Sequence, residues 1–196
     1  MNNFLQREIV LENDIARLEP LNENHFEPLW EQAKHEELWT LSTFSVKQKD
    51  DFRKYFDIAL TDKLHKRSCP YAIFDKRVSK YAGSTRLGNI VPEHKRLEIG
   101  WTWYGPSFQR TGLNRNCKFL LLRWGFETLE LNRIELKTSL LNMRSQKAME
   151  QIGAVKEGIF RNHMINPDGS LRDSIYYSFI IQDWPAIKDS IFKNYF

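Results

Sequence analysis

The sequence predicts one α/β domain with a mixed sheet flanked by helices. Three observations carry that prediction. The chain has 196 residues, enough for one substantial core. Its apolar patterns follow the order β-α-α-β-β-β-α-β-α-β-β, with no repeat, linker or low-complexity run between them. At its centre, Glu98-Ile99-Gly100-Trp101-Thr102-Trp103-Tyr104 reads as a strand that leads through a glycine turn into a long apolar helix.

Residues 14–20 form the first expected strand, with Ile15 and Leu18 apolar. A helix over 24–34 places Phe26, Leu29, Trp30 and Ala33 at i, i+3, i+4 and i+7, one face. A second helix over 47–65 carries Phe52, Tyr55, Phe56, Ala59 and Leu60 as its stripe. Strands over 71–74 and 80–89 join at Lys76-Arg77, and Gly83 and Gly88 mark bulges or close approaches in the second. The next strand covers 96–104. Strict alternation would put Leu97, Ile99, Trp101 and Trp103 on one face and Glu98, Gly100, Thr102 and Tyr104 on the other. The long helix is expected over 112–128, a strand over 133–139 and a helix over 142–152. Strands 155–165 and 171–180 form a hairpin across Asn166-Pro167-Asp168-Gly169, a strong turn sequence. A last helix is expected within 183–195.

Composition excludes several classes. The hydrophobic share of 41% and charged share of 28% are those of a soluble globular chain. There is no run of eighteen apolar residues, so no membrane partner is expected. The first eight residues lack a basic-then-apolar signal pattern, and a cytoplasmic protein is expected. Cys69 and Cys117 are too few for a disulfide framework. Cys117 sits among apolar helix residues, as a buried inert thiol or, alternatively, an acyl carrier. The five histidines show no metal-ligand spacing, and no metal is expected. The net charge of +4 suits an anionic ligand and weak association with RNA or ribosomes, but an ordinary solvated surface is the better account of the total alone. No RNA-recognition motif or basic-aromatic stripe is present, and DNA is not an expected partner.

The chemistry concentrates at Gln109-Arg110-Thr111-Gly112-Leu113-Asn114. Free N–H groups of a first helical turn and the helix dipole together favour an anion such as a pyrophosphate. Arg110 and Arg115 flank the turn, and Gly112 permits close approach of backbone to phosphate. The turn is neither a Walker loop nor a dinucleotide fingerprint. Its spacing Gln109-x-x-Gly112-x-Asn114 resembles the Q/R-x-x-G-x-G/A coenzyme A signature of the Gcn5-related N-acetyltransferases, the GNAT superfamily. The strand 133–139, the Asn142-x-x-Ser145 helix start and the Gly153-Ala154 helix end extend the likeness to the RimJ/RimL type of ribosomal-protein alanine N-acetyltransferase. The resemblance covers about Leu11 to Trp184 and is densest from Glu98 to Gly153.

The resemblance implies the GNAT fold over the single domain 1–196, a mostly antiparallel sheet with splayed strands that bind acetyl-CoA, and direct acetyl transfer to an amine. Gln109, Arg110, Thr111, Gly112, Leu113 and Asn114 would then hold the pyrophosphate, Asn114 standing where the family has a small residue. Backbone groups of Thr102 and Trp103 and the side chain of Asn142 would hold the pantetheine arm. Asn142 is otherwise an N-cap. Ser145 would protonate the departing thiolate, where other branches use a tyrosine; its plainer role is a bond to a backbone carbonyl. Acetyl transfer needs a neutral amine, and Glu98 is the candidate to take its proton. A salt bridge to Lys137 or Arg133 is the competing role for Glu98. Trp101 is expected in the core.

In the resembled family the segment 36–45, here with Trp39 and Phe44, helps wall the acceptor site. Arg86, Arg161, His163, Asp173 and Tyr177 are further candidates for acceptor contact, each with a structural alternative. The acceptor stays open between a protein N-terminal alanine or serine and a small amine such as an amino acid, polyamine or antibiotic. A non-catalytic CoA-binding module is the reading from another class. A homodimer is left open by the aromatic tail 192–196.

Overall fold

Alternating apolar residues give the central strands two greasy faces, and each must be covered. The computed structural model describes residues 9–195. The expectation about the first eight residues, and Phe196 of the tail, lie outside that span. The strands are β1 (Leu11–Glu12), β2 (Ala16–Pro20), β3 (Cys69–Asp75), β4 (Lys80–Val91), β5 (Arg96–Tyr104), β6 (Arg133–Ser139), β7 (Val155–Ile165) and β8 (Leu171–Ile180). The helices are α1 (Phe26–Ala33), α2 (Lys49–Leu64), α3 (Leu113–Arg123), α4 (Met143–Glu150) and α5 (Trp184–Ser190).

The strands form one eight-stranded sheet in the order β1-β2-β3-β4-β5-β6-β8-β7. Every neighbour pair is antiparallel except β5 and β6. That parallel pair is short: it holds Arg96↔Arg133, Leu97↔Ile134 and Glu98↔Glu135 and then ends. Beyond Glu98 the two strands share no pairing, although β5 runs on to Tyr104 and β6 to Ser139. The fold is a single α/β domain with a mixed sheet flanked by helices, as the sequence predicts.

One face packs Leu97, Ile99, Ile134, Leu136, Ile175, Tyr177 and Phe179 against α3, Met149 of α4 and Trp184 and Ile187 of α5. The other packs Ala72 and Trp103 against Leu29 and Ala33 of α1 and Phe52, Phe56 and Ala59 of α2. At about 1.5–3 kcal/mol for each large side chain removed from water, these two layers supply the main drive for folding.

Several boundaries differ from the expected ones for local reasons. A two-residue strand, β1, precedes the expected first strand. The first helix opens as a tight turn over Glu23–His25, because Asn22 accepts the Asn24 amide and the His25 ring accepts the Asn22 amide. The helix expected over 112–128 is α-helical only to Arg123 and widens into a π-turn over Trp124–Thr128. Gly125 lies in that turn, where a Cβ would stand 2.7 Å from Ile134 Cδ1.

The alternation expected along β5 fails at one residue. Ser84 pairs with Trp103 and Arg86 with Gly100, so β5 carries one extra residue between them. Trp101 takes it up in the left-handed region at φ +50°, a strained conformation for a bulky side chain. Past the bulge the faces exchange. Leu97 and Ile99 share their cluster with Tyr104, while Trp101 and Trp103 join the α1–α2 layer. Glu98 therefore shares its face with the two tryptophans and not with Thr102 and Tyr104.

Candidate active site

The turn after β5 is built from short-range bonds. Thr111 donates its hydroxyl to the Phe108 carbonyl at 2.8 Å, and Arg77 donates to the Thr111 carbonyl at 3.0 Å. Gln109 donates to the Tyr104 carbonyl at 3.1 Å and accepts from Arg144 at 2.8 Å. Its side chain thus ties the turn to the end of β5 and to α4. Gly112 caps α3 at φ +84°, and the helix ladder begins with the Asn116 amide on the Gly112 carbonyl at 3.2 Å. A Cβ on Gly112 would meet nothing within 4 Å. The glycine is there for its backbone conformation, and the space above it is open. Arg110 is exposed beside it, whereas Arg115 reaches away to the Gln151 carbonyl at 2.8 Å. Asn114 keeps a buried side-chain oxygen without a partner.

The run of β5 that is paired to β4 but not to β6 leads from this turn to Glu98. Thr102 faces α3: its hydroxyl shares a 2.7 Å bond with Thr85 and accepts from Lys118 at 3.2 Å. Lys118 is 6% exposed and has no carboxylate within ion-pair distance among the described residues. Burial brings its amine down to about 8. One residue earlier, burial pushes the Cys117 thiol up to about 12. That is the behaviour of an inert thiol and not of an acyl carrier.

Glu98 is 3% exposed. Its Oε2 accepts from Lys137 Nζ and from Asn89 Nδ2, each at 2.7 Å. Its Oε1 sits where a Cβ on residue 100 would stand, 2.7 Å away, so Gly100 makes the seat for the carboxylate. Of the two expected salt-bridge partners Lys137 is taken; Arg133 turns instead to Glu135 and Glu157. Asn142 caps α4 by accepting the Ser145 amide at 3.0 Å. Ser145 is half-buried at the rim of the inward face, which Gln146 and Met149 fill.

Glycine turn, the strand edge that β6 leaves unpaired and buried carboxylate thus lie along one path. The Acetyltransferase (GNAT) domain matches residues 16–155. The chain belongs to the GNAT family. It is 30% identical over 106 residues, 54% of this chain and 57% of the relative, to a Bacillus subtilis (strain 168) protein named "Putative ribosomal N-acetyltransferase YdaF". The chain thus spans little more than half the length of the curated relatives it matches. Among solved structures, a GCN5-related N-acetyltransferase from Brucella melitensis superposes with a TM-score of 0.88 at 29% identity, covering 95% of this chain and 85% of that one. A ribosomal-protein-S5-alanine acetyltransferase from Vibrio fischeri shares the fold at a TM-score of 0.72 and 18% identity, over 90% of this chain and 98% of that one.

The other candidates divide between structure and site. Trp39 donates to the Ala33 carbonyl at 2.8 Å and packs, tilted, 5.6 Å from Trp103, so both belong to the α1–α2 layer. Phe44 packs on Tyr55 at 5.0 Å. Arg86 is 3% exposed, between the rings of Tyr55 and Trp101. Tyr177 lies in the opposite layer, fully buried with Leu97 and Ile99, its hydroxyl on Glu150 at 2.8 Å; it does not share the face of Glu98. Asp173 accepts the Asn162 amide at 2.8 Å. Arg161, His163 and Asp173 line an open groove of about 860 Å³ along the hairpin. Lys118 was not singled out from the sequence, because a lysine in an apolar helix reads as its solvent face. No helix among the described residues is long and apolar enough to cross a membrane.

Proposed function

We propose that this GNAT-family chain is an acetyl-CoA-dependent N-acetyltransferase that transfers an acetyl group directly to a primary amine in a ternary complex. The observation that supports it most is the run of β5 beyond Glu98, which has backbone groups unpaired by β6 and leads into the open N-terminus of α3. Amides of Gly112, Leu113 and Asn114, with Arg110 and Thr111 beside them, suit a pyrophosphate. Backbone groups of Thr102 and Trp103 suit the amides of a pantetheine arm, and Asn142 at the start of α4 has an amide nitrogen left to donate. Gln109 fixes the turn against β5 and α4. Acetyl-CoA supplies an activated acyl group.

The residues of this chain supply position and proton transfer. A backbone N–H of β5 stabilises negative charge on the acyl oxygen. Glu98, held by Lys137 and Asn89 and seated against Gly100, accepts the amine proton directly or through a water. Ser145 returns a proton to the thiolate side. The name of the relative, "Putative ribosomal N-acetyltransferase YdaF", supports a ribosomal acceptor; the RimJ/RimL resemblance narrows this reading to a protein N-terminal alanine or serine, acetylated in the cytoplasm. Small amines are the second acceptor class.

Calorimetry of acetyl-CoA binding, followed by thiol release against peptide N-termini and small amines, tests the reading. Binding with release on one class supports the transferase and identifies its acceptor. Binding without release on any acceptor supports a CoA-binding module instead. No binding, or binding unaffected by Gly112→Glu, overturns the assignment of the turn.

A further inference from the structure

The proposed chemistry leaves a half-buried cation, Arg172, without a counter-charge among the described residues. Lys137 is matched by Glu98. Arg172 on β8 is half-buried and has no carboxylate within ion-pair distance among the described residues. Its guanidinium makes one long bond, 3.4 Å from Nη1 to the Leu41 carbonyl, and its Nε is buried without a partner. Removing a guanidinium from water without compensation is costly. The planar fork left free there matches a carboxylate.

Two further orphans lie beside it. Ser174 is on the same face of β8, two residues on, fully buried, with an unpartnered hydroxyl. His163 reaches the same face from β7 and keeps a buried Nδ1 without a partner, its Nε2 lying 3.4 Å from the Tyr176 hydroxyl. Thus three of the seven buried side-chain polar atoms that lack a partner among the described residues fall on this one hairpin. Buried polar atoms are normally satisfied, so a cluster of exceptions needs an occupant.

The hairpin is shaped for this. Phe160 pairs with Ser174 and Met164 with Arg172, so β7 places three residues opposite Asp173 alone. The bulge is held by the Asp173 carboxylate on the Asn162 amide, and it carries His163 across from β8. Facing the group are Lys137 and Glu98 from β6 and β5, Tyr176 and Arg172 from β8, and the Leu41 carbonyl from the segment before α2. Burial together with the Lys137 and Arg172 charges holds His163 below its ordinary value, which keeps its ring neutral.

We propose that Arg172, with His163 and Ser174, binds a carboxylate of the acceptor, so that the preferred substrates are amines carrying an acidic group near the reacting nitrogen. The inference rests on the acetyltransferase reading and narrows its substrate class.

The test uses the whole chain and matched acceptors: N-terminal Ala-Asp peptides against Ala-Asn peptides, and free amino acids against their amides. The carboxylate form of at least one pair should be preferred by roughly 10- to 100-fold in kcat/KM, the range of a charge-assisted hydrogen-bonded pair. Arg172→Gln should erase that preference by raising KM for the acid, leaving the amide and acetyl-CoA affinity unchanged. Arg172→Lys should retain part of it, and Ser174→Ala should weaken it less. The first pair identifies a side-chain carboxylate, the second an α-carboxylate. No discrimination by the native protein, or equal loss on both members of a pair in Arg172→Gln, overturns the proposal. Should no acceptor turn over, acids are added to the CoA-bound protein in a thermal-shift assay. A rise in Tm that Arg172→Gln abolishes supports the site, and no rise overturns it. Acetyl-CoA binding without any turnover counts against the transferase reading and not against the carboxylate site.

Discussion

Lys118→Met should make the protein more stable at neutral pH. The lysine is 6% exposed, and burial lowers its amine from 10.5 to about 8. At 1.36 kcal/mol for each tenfold in proton affinity, that corresponds to a penalty of about 3 kcal/mol whenever both folded and unfolded chains are protonated. Methionine keeps the length of the side chain without the charge. It leaves no orphan behind, because the Thr102 hydroxyl still bonds Thr85 and the Gly100 carbonyl. Urea unfolding at pH 7 should show the variant's midpoint about 1–2 M higher, for an m-value of about 2 kcal/mol/M. The pH dependence fixes the sign. Between the folded value of about 8 and the unfolded 10.5, the unfolded chain binds a proton that the folded one does not, so native stability rises with pH in that window. The Cys117 thiol, pushed up to about 12, acts oppositely above its ordinary range, but it is common to both proteins and largely cancels in the difference. The variant's advantage should therefore shrink to below about 1 kcal/mol near pH 10.5. Equal midpoints at pH 7, or a gap that persists at high pH, would refute the view that an uncompensated ammonium is buried there.

Three other outcomes are expected. Gly112→Ala should cost about 1 kcal/mol in urea unfolding, since φ is +84° there but a Cβ meets nothing; Gly112→Glu should in addition abolish acetyl-CoA binding in calorimetry. Glu98→Gln strands the Lys137 ammonium and should destabilise by roughly 3–5 kcal/mol; adding Lys137→Met should recover most of the stability but not the thiol release, which separates the structural role of the carboxylate from its proposed catalytic one. Asn142→Ala removes the α4 cap and should cost about 1 kcal/mol, with a rise in acetyl-CoA Kd only if the amide also touches the pantetheine arm.

The sequence was most readable where a local signal and a long-range one coincide. Strands 96–104, 133–139, 155–165 and 171–180 lie at the expected bounds, because their apolar patterns end at turn residues such as Asn166-Pro167-Asp168-Gly169. Gly112 was legible as the turn before α3 for the same reason: a glycine directly before an apolar helix marks a left-handed residue at its start. The bulge at Trp101 was not. Glycine or asparagine usually announces a left-handed residue, and a tryptophan there is set by the packing of both sheet faces and not by its own preference. Lys118 and Arg172 stayed hidden because charge patterning says nothing about whether a carboxylate is in reach. That none is, among the described residues, is a property of the folded chain. Ser145 and Asn142 were read from helical spacing, which places them correctly at the start of α4 but cannot separate a capping role from a ligand contact.

The three residue pairs that join β5 to β6 have a mechanical consequence. They divide the sheet into a leaf of five strands and a leaf of three, fastened along a seam far shorter than either leaf is tall, with α3 as the chain crossing between them. Openings of a folded protein start where the fewest bonds must break. Amide protons bordering the seam should therefore exchange with solvent sooner than those in the middle of either leaf. Whatever lodges between the leaves adds fastening to both at once, so occupancy of the seam would be felt as rigidity at the far edges of the sheet.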